Sequence, residues 1–279
     1  MTRTKQRGTL SAEVGTALSR LSAQGLWVFS LAAFAEALRS DKARARKLLY
    51  ELRRSGWVAR LRSGKYLIVP LEAGPESAWS EDTLLIGSHL SEPAAAAYWS
   101  ACHYWGWTEQ VPRTVFIQTP RRIRGPHSRK ILGVQYRFIR VQPSKFFGTV
   151  GRQAERGQFT VTDREKTLID CLDHPELCGG IGRVAEMLPE AAGLDWSRVD
   201  EYLKRMGSGA VYKRLGLLVE HLGDRLKVPD RRKRIGAWQA KLTGGYAPLE
   251  PGGPQTGRVD NRWRVRLNVA GVLRQKGRP

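Results

Sequence analysis

Residues 27–70 read WVFSLAAFAEALRSDKARARKLLYELRRSGWVARLRSGKYLIVP, and the fold at the start of the chain follows from that stretch. Ser30 has the short hydroxyl side chain that caps a helix, and Leu31, Phe34, Ala35 and Leu38 follow at helical spacing, so a short helix is predicted over Leu31–Leu38. Arg39-Ser40-Asp41 is the expected turn, with Ser40 as the cap of the next helix. In that second helix Ala45, Leu48, Leu49 and Leu52 fall at i, i+3, i+4 and i+7 and share one buried face. At ~100° per residue the opposite side carries Ala43, Lys47, Tyr50 and Arg54, with Arg44 and Arg46 on its flanks. Ser55-Gly56 ends the helix. Trp57–Leu61 and Lys65–Val69 read as strands, with Arg62-Ser63-Gly64 turning between them.

Helix, turn, helix and hairpin in that order make a winged helix-turn-helix, completed by a preceding helix over Ser11–Gln24 whose Val14, Ala17, Leu18 and Leu21 face inward. Lysines and arginines opposite leucines also describe an ordinary solvated amphipathic helix. Basic residues on both the second helix and the hairpin favour double-stranded DNA as the partner. The expected contacts are Ser40, Lys42, Ala43, Arg44, Arg46, Lys47 and Tyr50 on the helix and Arg60, Arg62 and Lys65 on the wing. Of these, Lys42, Arg46, Arg60, Arg62 and Lys65 are assigned to phosphates, and Arg44, Lys47 and Tyr50 to base edges.

The net charge is +21 over 279 residues, and it is unevenly placed. Residues 1–70 carry 14 Lys/Arg against 4 Asp/Glu, residues 71–225 carry 20 against 19, and residues 226–279 carry 13 against 3. Basic ends around a balanced middle imply a polyanionic partner at the ends. Within the middle, residues 111–154 hold ten Lys/Arg and no acid, so Arg121, Arg122, Arg124, Arg129 and Lys130 form an expected secondary basic surface on a loop. Internal pairing with the acidic helices is the other account of those charges.

These features give an α+β chain: residues 1–70 a winged helix-turn-helix domain, 71–80 a linker containing Gly74-Pro75, and 81–279 a mixed α+β domain. In the second part, residues 81–106 read as helical, while Val111–Thr119 and Gly133–Val141 read as strands. Thr162-Asp163-Arg164-Glu165 has capping-box spacing ahead of a helix. Further helices are expected over Gly179–Leu188, Trp196–Met206 and Ala210–Leu222. Asn261–Val269 alternates Trp263, Val265, Leu267 and Val269 with Arg262, Arg264, Arg266 and Asn268, a basic last strand expected to dock on that domain's sheet.

Three cysteines make no disulfide framework, the first residues lack a signal peptide's apolar core, and no apolar run reaches the ~20 residues that cross a bilayer. A cytoplasmic protein without membrane partners is therefore expected. Cys171-x-x-His174-x-x-x-Cys178, with Cys102-His103, has the ligand types for zinc. Nothing repeats the pair at a matching spacing, so free buried thiols are expected and neither metal nor cofactor. Gly179-Gly180-x-Gly182 lacks the strand and lysine of a phosphate loop, and the common hydrolase and metalloprotease motifs are absent. No enzyme is expected. The rival readings are a metal-dependent nuclease using Asp163, Glu165 and Asp170, and a regulator with a ligand-sensing C-terminal part.

The chain resembles the AbiEi antitoxins of type IV toxin–antitoxin systems. Four stretches carry the likeness: LLYELRRSGWVARLRSGKYLIVP, AAYWSACHYWGWTEQVPRTVFIQT, TVTDREKTLIDCLDHPELCGGI, and GGYAPLEPG with the later GRVDNRWRVRLNV. The resemblance implies an N-terminal winged domain that represses its own operon at promoter repeats. It also implies a C-terminal antitoxin domain that counteracts a cognate nucleotidyltransferase toxin. In family terms Lys42–Lys47 matches the recognition helix and Arg60–Lys65 the wing, while the arginine-rich last strand departs from the pattern.

Overall fold

A computed structural model describes residues 8–74, 83–123 and 125–272. Among them the chain is mixed α+β, with ten α-helices and three sheets, divided into two compact units. The first takes residues 1–96, 113–141 and 150–161; the second takes 97–112, 142–149 and 162–279. This partition differs from the division at 71–80 drawn from composition, because the chain passes back and forth between the units. Residues 75–80 of that expected linker, like the basic lead at residues 2–7, lie outside the described residues.

The first unit begins with α1 (Ala12–Ala23), β1 (Val28–Ser30), α2 (Leu31–Leu38), α3 (Lys42–Arg54), β2 (Val58–Arg62) and β3 (Lys65–Ile68). Ser30 accepts from Ala33 N–H at 3.1 Å and sets the start of α2 where its spacing predicts. The cap of α3 is one residue later than expected. Asp41 Oδ1 accepts from Ala43 N–H at 2.7 Å and Arg44 N–H at 2.9 Å, whereas the Ser40 hydroxyl turns to Asp41 O. A single carboxylate oxygen serves two orphan helix donors, which a hydroxyl in the preceding turn is not placed to reach. Val14, Leu18, Leu21, Phe34, Leu38, Ala45, Leu49 and Leu52 form one apolar core under these three helices; Leu48 is only partly buried at its edge. β2 and β3 pair antiparallel, with a register shift between Arg60 and Arg62, and Gly64 takes φ +72° in the connecting turn. The sequence reading missed β1. This three-residue strand adds to β3, from Val28 opposite Leu67 to Ser30 opposite Lys65, and gives the sheet order β1-β3-β2.

The same unit continues with α4 (Thr83–His89), β4 (Ala95–Ala96), β5 (Thr114–Thr119), β6 (Ser128–Ile131), β7 (Val134–Arg140) and most of β8 (Thr149–Ala154) and β9 (Gly157–Thr162). They make a mixed six-stranded sheet in the order β6-β7-β5-β4-β9-β8, with β5 and β7 parallel. Residues 81–106 are thus only partly helical, since a buried two-residue strand interrupts them. The expected loop across Arg121–Lys130 ends inside β6, where pairing with β7 satisfies the backbone of Arg129 and Lys130. Gly87 lets α4 lie close on the sheet: a Cβ there would fall 2.5 Å from Ile117 Cδ1.

The second unit holds α5 (Trp99–Tyr104), α6 (Arg164–Asp173), α7 (Ile181–Met187), α8 (Trp196–Met206), α9 (Gly209–Leu222), α10 (Arg231–Gln239), β10 (Ala247–Pro248), β11 (Arg258–Asp260) and β12 (Val265–Leu267). α6 is buried along nearly its whole length, and the Lys166 ammonium pairs with the Asp170 carboxylate one turn on. Its cap is Asp163, accepting from Lys166 N–H at 2.7 Å. Glu165, the expected far side of a capping box, instead accepts from Asp195 N–H at 2.8 Å and so ties α6 to the start of α8. Arg214 of α9 donates to Leu172 O at 2.7 Å and to Pro248 O at 3.0 Å, satisfying carbonyls at the end of α6 and on β10.

The last strand does not join the larger sheet. β12 is three residues long and sits between β10, parallel, and β11, antiparallel. Trp263 explains why the segment stays in its own unit. The indole is fully buried, donates to Glu220 Oε2 at 2.7 Å, and packs where a Cβ on Gly216 of α9 would fall 2.0 Å from its ring. Among the described residues no helix is long and apolar enough to cross a membrane.

Candidate functional site

Ala45, Leu49 and Leu52 hold α3 against the first unit's core, which leaves the other side of the helix in solvent. Lys42, Ala43, Arg44, Arg46, Lys47 and Tyr50 are all exposed, and Ser40 is half-buried. Tyr50 is 54% exposed, with the Arg53 and Arg54 guanidinium groups 5.8 and 5.9 Å from its ring centre. Within this set the residues are not equivalent. Arg44 donates to Glu13 Oε2 of α1 at 2.7 Å, so a carboxylate already meets the charge assigned to base reading. Among the described residues Arg46 and Lys47 make no hydrogen bond or ion pair with the protein.

The hairpin shows the same split. Arg60 is exposed at the register shift and Lys65 is half-buried at the turn. Arg62 is ion-paired with Glu92, and its Nε is buried without a partner. Behind the hairpin lies His89 at the end of α4, which the sequence reading did not single out. Burial pushes its imidazole below the ordinary value, and the Lys65 and Arg62 charges push the same way. Asp41 is also held below its ordinary range, first by the Arg44 amide and then by that of Ala43.

The secondary basic set is only partly gathered. Arg121, Arg122 and Arg129 line a cavity of about 680 Å³ with Leu90, Ser91, Ile123, Pro126 and Phe138. Lys130 points into solvent on β6, and Arg124 lies outside the described residues. The Arg129 guanidinium donates to Leu61 O at 2.9 Å, bracing the hairpin strand β2 from the larger sheet. Arginines on the last strand are also engaged: Arg264 donates to Thr243 O at 3.0 Å, Arg266 to Gln255 O, and Arg262 pairs with Glu220 at 2.8 Å.

The carboxylates of the rival nuclease reading have separate structural tasks. Asp163 caps α6 and accepts from the Tyr202 hydroxyl at 2.8 Å, Glu165 holds the start of α8, and Asp170 pairs with Lys166. Among the described residues they do not gather into a metal-sized group. Of the expected zinc ligand types, the histidines turn away: His103 Nδ1 meets Thr108 O at 3.2 Å, and His174 Nδ1 meets Glu176 at 2.9 Å. The sulfurs of Cys102, Cys171 and Cys178 converge instead, all within 4.8 Å of one another. The spacing of Cys171 and Cys178 was visible in the sequence; the arrival of Cys102 from α5 was not.

In fold the chain is similar to the RV2827C protein from Mycobacterium tuberculosis, known from a crystal structure, with a TM-score of 0.64 over 94% of each chain at 16% identity. At that identity the likeness concerns the fold alone. No family model matches the chain, and no curated protein matches it.

Proposed function

We propose that residues 8–69 act as a winged helix-turn-helix and that the protein is a DNA-binding antitoxin, without enzymatic activity of its own. In this reading α3 enters the major groove of double-stranded DNA and the β2–β3 hairpin follows the adjacent backbone. The observation that supports it most is the solvent face of α3, where Arg46 and Lys47 stand without protein partners while three apolar residues brace the helix from behind. Lys42, Arg46, Arg60 and Lys65 serve phosphates, and Lys47 and Tyr50 face base edges. The Glu13 and Glu92 carboxylates already hold Arg44 and Arg62, which contribute only by exchanging those partners for phosphate. The resemblance to AbiEi antitoxins supplies the rest of the reading: repression of the chain's own operon, and a C-terminal part that counteracts a nucleotidyltransferase toxin encoded beside it. The test is binding of the full chain to the DNA upstream of its own gene, in competition with unrelated duplex. Growth rescue on co-expression with a neighbouring nucleotidyltransferase tests the antitoxin half.

A second reading, a ligand-responsive regulator, is favoured by one feature. The cavity lined by Arg121, Arg122 and Arg129 suits an anionic small molecule, and Arg129 also holds Leu61 O on the hairpin. An anion drawn to Arg129 would compete with that carbonyl and loosen the hairpin's support. A change in DNA affinity on adding a phosphorylated metabolite, abolished in Arg129→Gln, would favour this reading over the antitoxin.

A further inference from the structure

All three cysteines of the chain meet at one buried point of the second unit. Cys102 comes from α5, Cys171 from the last turns of α6, and Cys178 from the end of the short turn Pro175–Cys178. Their exposures are 0%, 1% and 0%. Cys102 Sγ lies 3.3 Å from Cys171 Sγ, and Cys178 Sγ lies 3.2 Å from it on the other side. Buried cysteines ordinarily pack singly, as small apolar side chains. Three sulfurs drawn from separate elements onto one point is the arrangement that a thiophilic cation stabilises.

We propose that Cys102, Cys171 and Cys178 form a three-sulfur site for a soft metal ion, Cu(I) in first place and Zn(II) in second. For metal–sulfur bonds of about 2.3 Å, a trigonal site has sulfur–sulfur edges of about 4.0 Å, so the two shorter edges here would open by about 0.7 Å. Closed zinc sites hold four protein ligands. Among the described residues no histidine or carboxylate joins the three sulfurs, and His103 and His174 are turned to other partners. A ligand set of thiolates alone, three in number, suits Cu(I) better than zinc. The field of Asp170 reaches Cys102 and Cys178, adding a negative charge that favours any cation held there. Bound metal would fasten α5 to α6 across 69 residues of intervening chain, and the site would therefore stabilise the second unit.

The experiment uses the reduced full-length chain under anaerobic conditions. Cu(I) is offered from a bathocuproine disulfonate complex in one arm, and Zn(II) from a pyridylazoresorcinol complex in the other. One ion per chain is expected, with Cu(I) withdrawn from its chelator and Zn(II) held more weakly, alongside a rise in melting temperature and protection of three thiols from alkylation. Cys171→Ser and, separately, Cys171→Ala are expected to lose that stoichiometry while keeping a wild-type circular dichroism spectrum. If either variant fails to fold, thiol protection in the wild-type chain with and without metal decides. The proposal is overturned if neither ion reaches one per chain, if metal leaves all three thiols equally reactive, or if a folded Cys171 variant binds as wild type does.

Discussion

Replacing Arg46 and Lys47 together by alanine separates a DNA-facing helix surface from a merely solvated one. Both side chains are exposed on α3 and lack partners among the described residues, so their removal leaves the core of Ala45, Leu49 and Leu52 untouched. Alanine is at least as good a helix former, and the helix-propensity change is a few tenths of a kcal/mol. Melting temperature should therefore move by less than about 1 °C. The effect on DNA should be much larger and should depend on salt. Two lost phosphate contacts lower the exponent relating affinity to salt by about 1.8. The wild type's advantage over the double variant should then be about 12-fold smaller at 200 mM salt than at 50 mM. Fluorescence anisotropy on labelled upstream DNA across a salt series, with melting curves in parallel, gives both quantities. Parallel salt slopes for the two proteins would refute the phosphate assignment, and a several-degree loss of melting temperature would show that the pair supports the fold instead.

Other consequences follow from individual contacts. Arg44→Ala, which frees Glu13, should weaken DNA binding less than either Arg46→Ala or Lys47→Ala, a ranking that anisotropy can establish. The Asp41 carboxylate contributes stability present above its ordinary value of 3.8 and lost as pH falls through its lower folded value. The melting temperatures of wild type and Asp41→Ala should accordingly converge on acidification below that point. His89 is held neutral in the fold, so stability present above its ordinary value of 6.5 should drain away as pH falls through the lowered folded value, and His89→Gln should flatten that part of the profile in thermal melts from pH 8 to 5. Gly216→Ala drives a methyl into the Trp263 ring and should cost about 1–3 kcal/mol, read from urea unfolding.

Periodicity located the first helices well because their burial is one-sided: apolar residues at i, i+3 and i+4 have no other use in so basic a segment. It failed where the deciding contact is distant in sequence. β1 consists of three residues and exists because β3 is there to pair with it, which no local pattern announces. The alternation from Trp263 to Val269 was real, but burial of the indole against α9 assigned the strand to its own small sheet. Capping was legible as chemistry and misplaced by one residue in both cases, Ser40 for Asp41 and Thr162 for Asp163. Where a hydroxyl precedes a carboxylate, the carboxylate took the helix donors. The basic residues of the site were readable one by one; that Glu13 and Glu92 hold two of them was not, because 31 and 30 residues separate those partners.

Guanine N7 methylation interference on the upstream DNA addresses most directly whether α3 occupies a major groove, since that atom lies on the groove floor. The structure predicts that methylation at guanines within the bound site blocks binding of the wild-type chain, and that a photo-crosslinker placed at Tyr50 captures bases in the same interval. Binding that ignores N7 methylation, or a crosslinker at Tyr50 that never reaches DNA while the protein stays bound, would contradict it.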